Sequence, residues 1–245
     1  MNTKKDDRAL LIIKTGAAIY QAAEFGDFED WISTGMDLNG QPVRVCRVDQ
    51  GEALPAPGGL AGVVITGSPA MVTERLDWSE KTAEWLRRAV PLGLPILGIC
   101  YGHQLLAHAL GGRVGVDPSG REIGTVRIQL EPVAANDPLF ERLPSIFSAQ
   151  ATHQESVVDL PPEAIELAVS PHPANHAFRV GPCAWGVQFH PEFGEDVMRS
   201  YLQARAQPLR EEGLDPERLL RGVRATPVAT GVLGRFTEII FRQGF

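Results

Sequence analysis

Residues 95–104 read Pro95-Ile96-Leu97-Gly98-Ile99-Cys100-Tyr101-Gly102-His103-Gln104, an apolar run that passes through Gly-x-Cys-x-Gly into helix formers reaching residue 110. The apolar part, 95–99, is short and bounded by Pro and Gly, so it reads as a strand buried in a sheet. Small residues two before and two after the cysteine permit a sharp strand-to-helix turn, the device that lifts a nucleophile above a sheet edge. The turn sets Cys100 at the start of the next helix, where unpaired N–H groups and the positive end of the dipole favour a thiolate. A buried core cysteine at a glycine-tolerant strand end would use the same letters, so chemistry needs further residues.

Upstream, 10–14, 43–48 and 62–66 are apolar or β-branched runs that end in charge, Gly or Asp, and read as further buried strands. Between the first two, 24–36 carries Phe25, Phe28, Ile32 and Met36 at helical spacing before Gly40-Gln41-Pro42 breaks it. Residues 77–90 form an amphipathic helix with Trp78, Trp85, Leu86 and Ala89 on one face, stopping at Pro91. This alternation predicts a parallel sheet with right-handed crossovers. From Arg113 onward the runs 122–130, 145–153, 164–170, 176–180 and 184–189 are separated by Pro, Asn and Gly, the pattern of antiparallel pairing; 196–206 returns to helix. After Gln207-Pro208 a tail follows, with a helix start at Asp215-Pro216 and a last apolar run around Phe236 to Phe241. The expectation is an α/β fold: a mostly parallel central sheet flanked by helices, an antiparallel extension, and a helical C-terminal tail, divided as 1–207 and 208–245.

At 245 residues with 44% hydrophobic and 22% charged residues, the chain is long and apolar enough for a sizeable core. A net charge of −7 argues against nucleic acid or an anionic membrane as partner, since both call for a basic surface. The charged start, Met1 to Arg8, precedes only a short apolar run, and no stretch approaches a membrane span of roughly 20 residues. A cytoplasmic location is expected. Three scattered cysteines, Cys46, Cys100 and Cys183, suggest free thiols; His172-Pro173 and His176 have no Glu or Cys at ligand spacing, so no metal site is expected.

A thiol nucleophile needs a base, and the base an orienting group. Val187-Gln188-Phe189-His190-Pro191-Glu192 supplies both, because Pro191 delays any helix and lets His190 and Glu192 converge at the sheet edge. Gly67-Ser68-Pro69, ending the strand 62–66, brings a turn to the same edge, where the N–H of Ser68 and that of Tyr101 can serve as oxyanion donors.

Residues 96–104 and 186–192, with Gly111-Gly112 and the loop 66–69 in the same order, resemble the nucleophile and base motifs of class I glutamine amidotransferases, especially the glutaminase domain of GMP synthetase. The likeness covers roughly residues 43 to 205. It implies a flavodoxin-like fold, Cys100 as nucleophile, His190 as base, Glu192 as orienter, and Ser68 and Tyr101 as oxyanion donors. It further implies that Gly67, Gln104 and His153 line the substrate pocket, and that the substrate is glutamine or another γ-glutamyl small molecule cleaved without a cofactor. In two respects the chain departs from the family. Gly67-Ser68 stands where paired glycines are usual, so a positive φ at Ser68 would be strained. No phosphate-binding loop follows His190, as the synthetase would require. Three destinations stay open: a glutaminase feeding a synthase subunit, a stand-alone γ-glutamyl amide or peptide hydrolase, and an idle binding or regulatory module. A homodimer is the other partner open to the tail.

Overall fold

The computed structural model of the chain describes residues 8–38, 40–117, 119–172 and 175–241. The charged residues 1–7, Pro173 and residues 242–245 of the tail lie outside the described residues. The chain runs β1 (Ala9–Lys14), α1 (Phe28–Met36), β2 (Val43–Arg47), β3 (Leu60–Ile65), α2 (Asp77–Ala89), β4 (Ile96–Ile99) and α3 (Tyr101–Ala109). It continues with β5 (Arg113–Val116), β6 (Glu122–Leu130), β7 (Ile146–His153), β8 (Glu155–Asp159), β9 (Ile165–Val169), β10 (Asn175–Val180) and β11 (Ala184–Val187). Four helices close it: α4 (Glu195–Ala204), α5 (Ala206–Glu211), α6 (Pro216–Gly222) and α7 (Pro227–Phe241).

One sheet takes the order β2-β1-β3-β4-β11-β10-β9-β6-β7. The joints from β2 to β11 are parallel and those from β11 to β7 antiparallel. Successive strand residues point to opposite faces, and both faces of the parallel half are apolar. Leu10, Ile12, Val64 and Leu97 therefore pack with α1, α4 and α7, while Leu11, Ile13, Val63 and Ile96 pack with α2 and α3. The fold matches the sequence expectation in class and in the helical tail.

The tail is part of the core. Leu233, Phe236 and Ile239 of α7 are buried, Thr237 Oγ1 donates to Met36 O at 2.7 Å, and Arg235 Nη2 donates to Pro138 O at 2.7 Å. Two local differences from the expectation have plain causes. The helix expected from residue 24 starts at Phe28, because Asp27 caps it through Phe28 N and Asp30 answers in a capping box, leaving residues 20–25 as a separate 3₁₀ turn. The strands β5 and β8 form an unforeseen two-stranded sheet, with Val114 opposite Val157; that pairing is nonlocal and leaves no periodic mark in such short runs. No described helix is long and apolar enough to cross a membrane.

Candidate active site

β4 and β11 lie side by side and parallel, Ile99 opposite Val187, so Cys100 and the segment leading to His190 leave the same edge of the sheet. This is the edge at the carboxyl ends of the strands, where open α/β sheets place their ligands. Cys100 N donates to Val187 O at 2.8 Å, and Gln104 N to Cys100 O at 3.1 Å, which pins the turn from both sides. Between them Cys100 adopts φ 51° and ψ −101°, a left-handed backbone uncommon for a side chain and costing about 1–3 kcal/mol. The flanking glycines make it feasible. A Cβ on Gly98 would strike the Gly102 carbonyl, and one on Gly102 would stand 2.5 Å from Ile65 O.

His190 is fixed at every side. Its N–H donates to Gln150 O at 2.8 Å, tying it to β7, and its Nδ1 donates to Glu192 Oε1 at 2.8 Å. The imidazole stacks on Phe193 with centroids 4.0 Å apart and planes 18° apart, and Phe28 lies in a nearly parallel plane at 6.3 Å. Its Nε2 is buried without a hydrogen-bond partner among the described residues, and the ring lines a small cavity together with Cys100. Burial disfavours a charge on this ring, but the Glu192 carboxylate and Cys100 outweigh it and push the His190 pKa up to about 10. These partners favour the protonated ring. The other two thiols sit apart: burial raises the pKa of both Cys46 and Cys183, which keeps them protonated.

A cavity of about 130 Å³ opens beside Cys100, with Ser68, Tyr101, Gln104, Thr152 and His153 among its walls. Ser68 has no positive φ, so the strain expected from its replacing a glycine does not arise; its Oγ donates to Thr15 O at 2.7 Å and fixes the loop. Tyr101 is the first residue of α3, so its N–H has no intrahelical acceptor. The Tyr101 phenol is turned away to Ser79 Oγ at 2.6 Å, and burial raises its pKa to about 12. Gly67 backs closely onto His190: a Cβ there would lie 3.0 Å from His190 Cε1, so a neighbour would have to give by a few tenths of an ångström. Gln104 Nε2 is committed to Glu155 O at 2.6 Å and Gln188 Oε1 at 3.0 Å, and Glu155 in turn holds Val72 N at 2.9 Å and the Thr73 hydroxyl. All eight residues singled out from the sequence thus gather at one sheet edge.

Behind His153 is a second histidine cluster that spacing did not reveal. Glu122 Oε2 of β6 lies 3.0 Å from His153 Nε2 and 2.7 Å from His176 Nε2, and Ser170 Oγ donates to Glu122 Oε1 at 2.9 Å. The three ligand atoms lie within 4.8 Å of one another, so the carboxylate missing at ligand spacing in the sequence is brought to His176 by the fold. As it stands, the carboxylate is satisfied by the two imidazoles and the hydroxyl. Sequence reading also passed over Phe193, one residue beyond Glu192, and Arg205, which lines the cavity; Phe193 adjoins the His-Pro-Glu motif, whereas Arg205 had no local signal.

The family model for the class I glutamine amidotransferases matches residues 24–206. GMP synthase of Aeropyrum pernix is 37% identical over 163 residues, 64% of this chain and 30% of that protein. The chain therefore spans under a third of the length of that relative. γ-Glutamyl peptidase 4 of Arabidopsis thaliana is 28% identical over 194 residues, 77% of either protein. Among solved structures, a Thermotoga maritima glutamine amidotransferase superposes over 97% of this chain and 99% of its own with TM-score 0.76 at 24% identity. One from Methylobacillus flagellatus gives 0.73 at 26% identity, covering 95% and 92%. With a fold shared end to end and a family match over most of its length, this chain belongs to the class I glutamine amidotransferases.

Proposed function

We propose that the chain hydrolyses γ-glutamyl amides through a thioester on Cys100, with His190 and Glu192 completing a triad. The observation that carries the reading is the meeting of Cys100 and His190 at the carboxyl ends of the parallel pair β4 and β11, with the buried imidazole of His190 clamped by Glu192 on Nδ1. A thiolate beside it attacks the γ-carbonyl carbon, and the oxyanion that forms accepts hydrogen bonds from the N–H groups of Ser68 and Tyr101. His190 Nε2–H gives its proton to the leaving nitrogen as the C–N bond breaks. Water then attacks the thioester carbon, His190 takes one of its protons, and glutamate leaves as the thiolate is restored. Glutamine would release ammonia by this route. A second reading, an amine larger than ammonia as leaving group, is favoured by the peptidase relative, which aligns over equal shares of both chains, whereas the GMP synthase aligns over a minor part of its own length.

The test is a panel of glutamine and γ-glutamyl amides assayed for glutamate release. Cys100→Ala is expected to lose turnover by about 10⁴-fold or more with its melting temperature kept, while Cys46→Ala and Cys183→Ala keep most of it. Normal turnover in Cys100→Ala, or none by the wild type on any member of the panel, rejects the proposal.

A further inference from the structure

Among the described residues, a larger and a smaller cavity touch Cys100, and they differ in kind. The larger, about 130 Å³, contains Gln104, Arg121 and the 152–155 segment. The smaller, about 40 Å³, contains His190 and is walled by Ala17, Ile19, Phe28 and Tyr201. Both share Ser68, Pro69, Thr152 and Arg205. If His190 Nε2 protonates the leaving nitrogen, that nitrogen departs on the His190 side, so the smaller cavity receives the leaving group and the larger the γ-glutamyl half. This step rests on the function proposed above. A cavity needs about 10–15 Å³ to hold one water. The leaving-group side is roughly three times that, more than ammonia requires, and its walls other than Arg205 carry no charge that could attract an amine's substituent except the triad itself.

Arg205 is the odd member of that wall. It sits at the break between α4 and α5, held by its own N–H to Tyr201 O at 3.1 Å and by Leu209 N to its carbonyl at 2.9 Å, so its position is set by both helices. Its guanidinium lies over the Tyr201 ring, 4.8 Å from the centroid, and its Nη1 is buried with no hydrogen-bond partner among the described residues. Arg121, the other arginine near Cys100, is already engaged: its Nε and Nη2 form a fork on Glu212 at 2.8 and 2.9 Å. An unpaired buried N–H of a cation is costly unless something fills it, and the planar guanidinium fits a carboxylate by two parallel hydrogen bonds. We propose that Arg205 is the subsite for a carboxylate on the leaving amine, which makes γ-glutamyl amino acids and short γ-glutamyl peptides the substrate class of this chain.

The test compares γ-glutamylglycine with γ-glutamylglycinamide, which share the γ-glutamyl half and the leaving nitrogen and differ in the distal carboxylate. The wild type is expected to prefer the glycine substrate in kcat/KM. Arg205→Met should lower the glycine-to-glycinamide ratio by about thirtyfold, and Arg205→Lys, which keeps charge but not the fork, by a smaller factor. Because any general effect of the variant on folding or on Cys100 acts on both substrates, the ratio isolates the carboxylate contact. An unchanged ratio overturns the inference, including the case in which both substrates lose activity equally because Arg205 serves the γ-glutamyl half. A wild type that turns over glutamine alone also overturns it while leaving the proposed Cys100 chemistry standing; a wild type inactive on every γ-glutamyl amide removes that chemistry itself.

Discussion

Two buried clusters of histidine and carboxylate stand near Cys100, built from the same residue types and tuned in opposite directions. In one, His190 has a carboxylate, Glu192, on Nδ1 and Cys100 nearby, and together these raise its pKa to about 10. In the other, His153 and His176 share one carboxylate, Glu122. His153 has acceptors near both nitrogens, Glu122 Oε2 at 3.0 Å and Glu155 O at 3.1 Å, yet burial dominates and holds its pKa below the ordinary value. Glu122, with two imidazoles against it, is held well below the usual carboxylate range. The lesson is one of ratio. Burial opposes charge on both His190 and His153, so the anionic partners beside each ring decide the direction in which its pKa moves. A ring held toward its charged form can donate to a leaving nitrogen, and a carboxylate shared by two imidazoles is a brace between β6, β7 and β10.

The largest expected effect comes from breaking the first ratio. Glu192→Gln keeps the shape and removes the charge, and is expected to lower kcat/KM by about 10²- to 10⁴-fold. Since Glu192 raises the His190 pKa, its removal lowers it. The alkaline limb of the pH–rate profile, where the imidazolium is lost, should therefore move to lower pH. Stability follows the same sign. A raised His pKa contributes stability that is full below the unfolded value of 6.5 and lost as pH rises through about 10, and the variant forfeits that contribution. Unfolding and rate profiles measured from pH 6 to 11 check both; an unmoved alkaline limb would show that Glu192 does not govern His190.

Glu122→Gln tests the second cluster and should act mainly on stability. It leaves two buried imidazoles with a weaker acceptor, a loss of about 1–3 kcal/mol at neutral pH. His153, whose folded pKa is depressed, contributes stability above 6.5 that is lost as pH falls, and removing the carboxylate deepens that depression. The variant is thus expected to be more acid-sensitive, with kcat/KM down by about tenfold or less through the wall it braces. Urea unfolding at pH 5.5 and 8 measures the difference. Loss of turnover matching Glu192→Gln at unchanged stability would mean that the two clusters do one job and the contrast is false.

The two clusters also differ in how far the sequence betrays them. Cys100, His190 and Glu192 are legible because each sits where a strand ends, and a strand end is marked by local letters: Gly-x-Cys-x-Gly in one case and His-Pro-Glu in the other. Parallel pairing of β4 with β11 then needs no further information to bring them together. Glu122 opens β6, His153 closes β7 and His176 lies near the start of β10, and they meet only through antiparallel pairing of β6 with β7, β6 with β9 and β9 with β10, which short alternating runs do not specify. Arg205 was invisible for a related reason. The helix expected over 196–206 breaks at it, and only the tertiary packing of α4 and α5 turns its guanidinium toward Cys100. In the tail, the apolar residues Leu233, Phe236, Ile239 and Ile240 signalled burial correctly, whereas their destination against α1 and the sheet was not in the letters.

The smallest effect expected is the most telling about geometry. Gly67 was read from the sequence as a substrate contact, yet its α-carbon faces His190: a Cβ there would lie 3.0 Å from His190 Cε1 and 3.2 Å from Phe28 Cε1. Its φ is not positive, so Gly67→Ala adds no backbone strain, and its carbonyl can go on accepting from the Thr15 and Thr66 hydroxyls at 2.9 Å each. The methyl needs a few tenths of an ångström from its neighbours. His190 is stacked on Phe193 at 4.0 Å, so it can yield only by sliding in its plane, which changes the aim of Nε2 at Cys100 while Nδ1 stays on Glu192. The expectation is a fall in kcat of about tenfold, since small misplacements of a reacting group are felt steeply, with stability changed by about 1 kcal/mol or less. The alkaline limb should stay where the wild type has it, because the carboxylate is still present. A rise in KM with kcat untouched would restore the reading of Gly67 as a substrate contact, and a shifted alkaline limb would mean that the methyl has pulled the ring from Glu192 rather than re-aimed it.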